Sequence, residues 1–254
     1  MILMFSIVIP TKNEEAYLPI LLRSIHRQTI QAKEIIVADA FSEDTTRHIA
    51  SRFGCQIVDG DMPGPGRNAG ACVATGEFLL FLDADVELQD PFFLEKALAD
   101  LQKQQFDFAT CDVFPISTRL VDHLFHRCYN TYVRLCRPLM AHAPGFCLFA
   151  RRSLHEKMGG FDPTVTFCED HDYANRCRQY GSFGYLDTSL TIPVSTRRFD
   201  RDGRLQIAAK YLLGELHLMT LGPIRHHRIP YTFGHFATKK HKSFVSSFKE
   251  KILH

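Results

Sequence analysis

The stretch EFLLFLDAD, residues 77–85, decides how this chain is read. Its five apolar residues, Phe78 to Leu82, show no wet–dry alternation, so the run predicts a strand buried on both faces near the centre of a sheet. It ends abruptly in two aspartates separated by one alanine. Carboxylates at that point stand where open α/β sheets take their ligands, outside the carboxyl ends of the strands.

The segments before it repeat the same plan. Residues 5–10 (FSIVIP) read as a buried strand, followed by a helix over 14–28 with Leu18, Leu21, Leu22 and Ile25 on one face and Asn13 as its N-cap. Residues 34–39 (EIIVAD) and 55–59 (CQIVD) read as the second and third strands, with a helix over 42–53 between them. A loop over 60–66 then leads into a short helix to residue 75. This alternation predicts a parallel α/β sheet. Its strands deliver Pro10-Thr11, Asp39, Asp59 and Asp83 to a single edge, which describes a small-molecule site. Beyond residue 91 the pattern loosens: helix over 91–105, strand over 108–114, amphipathic helix over 118–137, strand over 146–151. Residues 205–221 predict a greasy helix with one narrow polar stripe at Gln206, Lys210, Gly214, His217 and Thr220.

Composition bounds the class. With 254 residues, 45% hydrophobic and 23% charged, the chain can bury one sizeable core as a soluble globular protein. The MILMFS start has no basic n-region, so no signal peptide is expected, and no apolar run is long enough to predict a membrane-spanning helix. The eight cysteines form no C-x-x-C pair, which favours reduced, mostly buried thiols in a cytosolic compartment and speaks against zinc. The net charge of +2 is uneven: residues 205–254 hold eight Lys/Arg against two Glu, or +6, which leaves −4 on residues 1–204. Such a tail suits an anionic partner, for which phospholipid, phosphorylated lipid and nucleic acid are the general candidates; lipid is the expectation and nucleic acid is not. A plain solvated end has the same composition.

The chemistry centres on Asp83-Ala84-Asp85. Alternate residues at a strand end can turn two carboxylates toward one ligand, and Mg²⁺ or Mn²⁺ takes carboxylate oxygens together with substrate phosphates. A bare D-x-D is weak evidence, and its position gives it weight. A competing motif is Gly64-Pro-Gly-Arg-Asn-Ala69, which fits G-x-G-x-x-A and would suggest a dinucleotide-dependent oxidoreductase. It follows the third strand instead of the first, and Pro65 stiffens its turn. Arg197 and Arg198 read either as diphosphate clamps or as a basic patch neutralised by Asp200 and Asp202. His226, His227 and His235 lack a helical metal spacing.

An ordered set of segments now carries a resemblance: SIVIPTKNE (6–14), EIIVADAFSEDT (34–45), GRNAG (66–70), ATGE (74–77), FLDAD (81–85), GGFD (159–162), EDHD (169–172) with Arg176, and STRRF (195–199). Together they resemble glycosyltransferase family 2, in its small bacterial members, whose chains use the GT-A fold. The resemblance implies a GT-A-type, mostly parallel α/β domain over residues 1–204, with a helical, basic appendage over 205–254. It implies an inverting transfer from a nucleotide-diphosphate donor, a UDP-sugar, to a hydroxyl acceptor. Pro10, Thr11, Glu14 and Asp39 would hold the uridine-type base and ribose. Arg67 would approach the nucleotide, Asp83 the ribose with Ala84 beside it, and Asp85 a Mn²⁺ or Mg²⁺ ion bridging the diphosphate. Asp170, with Glu169 next to it, would be the general base, and Arg197 and Arg198 would face the phosphates. One departure is Ala40-Phe41, where the family often carries a second acid after the strand-two aspartate.

These roles are physically coherent. Expelling a nucleoside diphosphate calls for charge neutralisation, and one-step inversion calls for a base on the opposite face. Asp170 can also be read as a helix N-terminal acid, and Asp172 with Arg176 as an i,i+4 surface pair. A non-catalytic nucleotide-sugar-binding protein on the same fold is the rival from another class. The greasy helix and the cations after it also suggest a lipid-linked acceptor and a cytoplasmic protein attached peripherally to the inner face of the membrane through residues 205–254.

Overall fold

The computed structural model describes residues 4–61 and 63–225. The chain runs β1 (Phe5–Thr11), α1 (Leu18–His26), β2 (Glu34–Asp39), α2 (Thr46–Arg52), β3 (Gln56–Asp59), α3 (Pro63–Val73) and β4 (Phe78–Leu82). It continues through α4 (Phe93–Gln104), β5 (Phe108–Thr110), β6 (Asp112–Ile116), α5 (Leu120–Cys136), β7 (Cys147–Arg151), α6 (Arg152–Lys157) and α7 (Glu169–Tyr180). Last come β8 (Phe183–Tyr185), β9 (Thr191–Ser195), α8 (Arg197–Asp202) and α9 (Arg204–Leu221).

Seven strands form one sheet in the order β3-β2-β1-β4-β7-β5-β8, with β4 in the middle. The pairs β3–β2, β2–β1 and β1–β4 are parallel, whereas β7 enters antiparallel between β4 and β5. The apolar run of β4 divides between two cores. Phe78, Leu80 and Leu82 join Ile7 and Ile9 on one face, and Leu79 and Phe81 join Val8 and Ile36 on the other. Burying a side chain of this size is worth about 1.5–3 kcal/mol, so the strand read as central is also a main source of stability.

Three local expectations change. The first helix starts at Leu18, not at residue 14, and Asn13 is not its cap but adopts φ +56°. Its amide donates to Ser42 Oγ at 2.8 Å and its Oδ1 accepts from Glu43 N–H at 2.9 Å, so residues 13–15 are used to lock the turn after β2. The expected 60–66 loop is shorter, because α3 already begins at Pro63. Prolines suit a first helical turn, where the amide has no intrahelical acceptor. Gly64 and Gly66 therefore lie inside a helix and do not form a dinucleotide phosphate loop. Finally, the 108–114 strand splits. β5 joins the main sheet, and β6 leaves it to pair in parallel with β9 as a separate two-stranded sheet.

Gly70 lets α3 lie against β1. A Cβ there would collide with Val8 Cγ1. Gly70→Ala is expected to destabilise the fold by about 1–3 kcal/mol through overpacking, measured as a lower denaturant midpoint with an unchanged m-value.

α9 packs on elements that precede it in the chain. Arg204 forks the buried Asp122 of α5 at 2.6 and 2.9 Å, Tyr132 donates to Glu215 at 2.8 Å, and Gly214 sits against the Phe167 ring. The basic tail and His226, His227 and His235 lie outside the described residues. All eight cysteines are free, with Cys111, Cys147 and Cys177 buried and Cys72 and Cys128 exposed. No helix among the described residues is long and apolar enough to cross a membrane.

Candidate active site

Strand register builds the first part of the site. Thr11 stands opposite Asp39, and Asp39 opposite Asp59, so three strands end level. Thr11 Oγ1 donates to Asp39 Oδ1 at 3.0 Å, and Ser42 supplies its amide and hydroxyl to the same carboxylate at 2.9 and 2.6 Å. Arg47 bridges Asp39 at 3.3 Å and Asp59 at 3.0 Å. Pro10 lies half-buried beside this corner, whose polar groups are fixed in advance of any ligand.

Two buried arginines organise the rest. Arg67, carried by α3, is 2% exposed and places one nitrogen 2.8 Å from Asp83 Oδ1 and the other 2.8 Å from Glu169 Oε1. Its Nη2 also donates to Gly145 O at 3.3 Å, and Phe161 lies under the guanidinium. A single cation thus ties the β4 end to the start of α7, 102 residues away from it in sequence at Glu169. Burial pushes the Asp83 carboxyl up to about 6, against the pull of Arg67 and with Asp85 and Glu169 adding to the rise. Glu169 is raised as well, by burial and by Asp170.

Arg197 is the second. β9 ends against the D-x-D, with Ser195 N–H donating to Asp85 O at 3.1 Å. Arg197 Nε then lies 2.9 Å from Asp85 Oδ2, and its two outer nitrogens fork Glu14 at 2.7 Å each, over the Tyr17 ring. Burial raises Glu14 to about 7 although Arg197 opposes the shift. The residue expected to face phosphates is thus held by two carboxylates in this structure. Asp200 and Asp202 do not neutralise it, for they pair with Arg204 and Arg201. Arg198 meets Tyr211 of α9. Ala84 is buried between the two aspartates.

Asp170 lies beside the Arg67 bridge. Its Oδ2 accepts from Gly145 N–H at 2.6 Å, and its Oδ1 accepts from the His171 amide at 2.9 Å and lies 3.1 Å from His171 Nδ1. Burial alone would raise this carboxyl, but His171, Arg67 and the Gly145 amide outweigh it and hold it at about 2. Behind it, the His171 ring meets that of His142, whose Nε2 lies 2.7 Å from Glu215 of α9. Asp172 does pair with Arg176 at 2.8 Å, yet it is buried and not a surface residue.

Arg47, His142, Gly145, Tyr211 and Glu215 were not singled out by sequence. Arg47 and His142 carry no local signal, a glycine amide never does, and Glu215 lies across its helix from the polar stripe. His171 was visible only as part of EDHD.

Removing the Arg67 charge should be severe. Arg67→Met leaves Asp83 and Glu169 without their shared cation, a loss of about 3–5 kcal/mol for a broken buried pair. A fall in Tm on the order of 10 °C, followed by circular dichroism, is the expected result.

An open, largely parallel sheet whose strand ends gather carboxylates, with a second acidic cluster at the start of α7, is the arrangement of a GT-A-type α/β protein. The sequence profile of glycosyl transferase family 2 matches residues 6–159, and the chain belongs to that family. A PGL/p-HBAD biosynthesis glycosyltransferase of Mycobacterium bovis is 29% identical over 225 residues, covering 76% of this chain and 86% of that protein. Other curated relatives match over shorter stretches, down to 16% of their length. Among solved structures, the mannosyltransferase PcManGT from Pyrobaculum calidifontis in complex with GDP-Man and Mn²⁺ aligns with a TM-score of 0.67 at 19% identity, covering 85% of this chain and 64% of that one. S. aureus TarS 1-349 in complex with UDP-GlcNAc aligns with a TM-score of 0.60 at 20% identity, covering 76% of this chain and 59% of that one. These likenesses establish the GT-A fold.

Proposed function

We propose that this protein is an inverting glycosyltransferase moving one sugar from a nucleotide-diphosphate donor, a UDP-sugar, to a hydroxyl on a lipid-linked acceptor. The observation that carries the reading is the convergence of Thr11, Asp39, Glu14, Asp83 and Asp85 on one sheet edge, with the Asp170 segment joined to it through Arg67 and Gly145. The relatives add that GDP-Man with Mn²⁺ and UDP-GlcNAc occupy the same fold.

Each group has a role in this account. The Thr11–Asp39 corner, with Pro10, receives the base and ribose, and Asp83 the ribose hydroxyls, oriented by Arg67. Asp85 presents a hard carboxylate whose Oδ2 is held by Arg197, and its oxygens are the donor type that would hold a divalent Mn²⁺ or Mg²⁺ ion. Such an ion takes one or two carboxylates and completes its shell with phosphate oxygens and water. When bound, it would neutralise charge on the departing diphosphate. Arg197 lies within reach of that charge and Arg198 adjoins it, so both serve as phosphate clamps once donor is present. The acceptor hydroxyl attacks the anomeric carbon from the side of Asp170, which takes its proton. The bond from that carbon to the diphosphate oxygen breaks, and the nucleoside diphosphate leaves with the electron pair. Glu169, held by Arg67, fixes the base segment.

A second reading, a nucleotide-sugar-binding protein without turnover, draws on Asp170, both of whose oxygens are engaged. Nucleoside diphosphate release separates the two. The first test of the donor site is thermal stabilisation by a panel of UDP- and GDP-sugars with and without Mn²⁺. A metal-dependent rise with one member is expected; stabilisation by NAD(P) without metal would point to oxidoreductase chemistry instead. The protein acts, in this account, at the cytoplasmic face of a membrane, held peripherally through residues 205–254.

A further inference from the structure

α5 and α9 are built inside out. On α5, Leu120, Leu124 and Leu135 are 82%, 59% and 74% exposed, and on α9, Leu212, Leu216 and Met219 are 61%, 50% and 63% exposed. Within each helix these positions fall at intervals that keep them on one face, and that face is turned to solvent. The helices are neighbours tied at two points, Arg204 to Asp122 and Glu215 to Tyr132, so they run side by side in the same direction. Isolated exposed leucines need no explanation, but apolar outer faces on two adjoining helices mark a surface that meets something.

Charge identifies what it meets. Asp122 and Glu215 are the only acids in the two helices, and both are turned inward and paired. The cations Arg119 and Arg127 stand exposed at the same helix. Residues 226–254, which follow directly, add six Lys/Arg against one Glu. An apolar face fringed with cations and free of outward acids fits an anionic lipid leaflet, where leucines enter the interface and cations meet headgroups. A second copy fits poorly, because a twofold contact would bring the same cations together.

We propose that α5 and α9 together form the surface by which this protein lies on an anionic membrane. The proposal rests on the lipid-linked acceptor reading above and deepens it, since α5 lies outside the tail to which attachment was first assigned. It also places the leaflet one helix away from the acceptor wall. The inner side of α9 carries Glu215 toward His142 and Tyr211 toward Arg198, and its outer side carries the leucines.

The native cysteines supply the test. Cys128 is exposed on α5 and Cys72 is exposed on α3. Maleimide labelling of the full chain is followed with phosphatidylglycerol–phosphatidylcholine vesicles and with phosphatidylcholine alone, and the same samples are floated on a density gradient. The protein is expected to float with the anionic vesicles, and Cys128 labelling there to slow by about tenfold while Cys72 labelling is unchanged. The L124Q/L135Q/L212Q/L216Q variant should lose about tenfold in floated fraction. Stabilisation by UDP and Mn²⁺, read on the same preparations, should be equal in wild type and variant, so failure of docking is distinguishable from failure of the donor site. Protein that stays in solution, or floats with Cys128 as reactive as before, overturns the proposal. Protection of Cys128 that grows with protein concentration in the absence of vesicles would assign the face to a second copy and likewise overturn it.

Discussion

Asp85→Ala is expected to abolish Mn²⁺-dependent binding of nucleoside diphosphate while the fold persists. The side chain is the carboxylate of the D-x-D that β9 and Arg197 approach, and Asp83 is already engaged by Arg67. A divalent ion there would lose its protein anchor and be left to phosphate and water, so affinity measured with metal should fall to that measured with chelator, by about a hundredfold or more. The fold should tolerate the change. The Ser195 amide is held by the Asp85 carbonyl, not by its side chain, and Arg197 keeps its fork on Glu14. Calorimetric titration of UDP with and without Mn²⁺ gives the comparison. Equal metal-dependent affinity in wild type and variant would remove Asp85 from the metal site.

The second large effect separates binding from chemistry. Asp170→Asn keeps the side-chain shape and one carbonyl acceptor for the Gly145 amide, but an amide does not take up a proton as a carboxylate does. Transfer should drop by roughly two to four orders of magnitude with donor affinity preserved. Near-normal turnover would move the base to Glu169 or Asp172. The structure makes either a poor substitute, since Arg67 holds the first and Arg176 holds the second in a buried pair.

The first half of the fold was legible because its strands are short apolar runs bounded by turns, and periodicity distinguishes them from the helices between. Asp39 and Asp83 could be placed at strand ends for the same reason. What followed residue 91 was less legible for a definite cause: residues 108–114 (FATCDVF) read as one continuous strand, and nothing local says that it changes sheets at Cys111. Asn13 looked like a cap because caps and left-handed turn residues draw on the same side chains, and only tertiary bonding to Ser42 and Glu43 decides between them. The candidate site was legible as a set of residues but not as a set of partners. Glu14 and Arg197 are 183 residues apart, and neither the fork between them nor the Arg67 bridge from Asp83 to Glu169 has a sequence signature. The inward turn of Asp122 and Glu215, which leaves an acid-free apolar face outside, depends on packing that periodicity does not contain.

The central claim is that the carboxylate edge and the Asp170 wall together catalyse sugar transfer. Nucleoside diphosphate release tests it most directly, followed over a panel of nucleotide-sugars with lipid and soluble hydroxyl acceptors, in the presence of Mn²⁺ and then of a chelator. The account predicts release with one class of donor, dependent on metal, lost in Asp85→Ala and reduced at least a hundredfold in Asp170→Asn. Metal-dependent binding of a nucleotide-sugar with no release under any of these conditions, and no difference between wild type and Asp170→Asn, would contradict it.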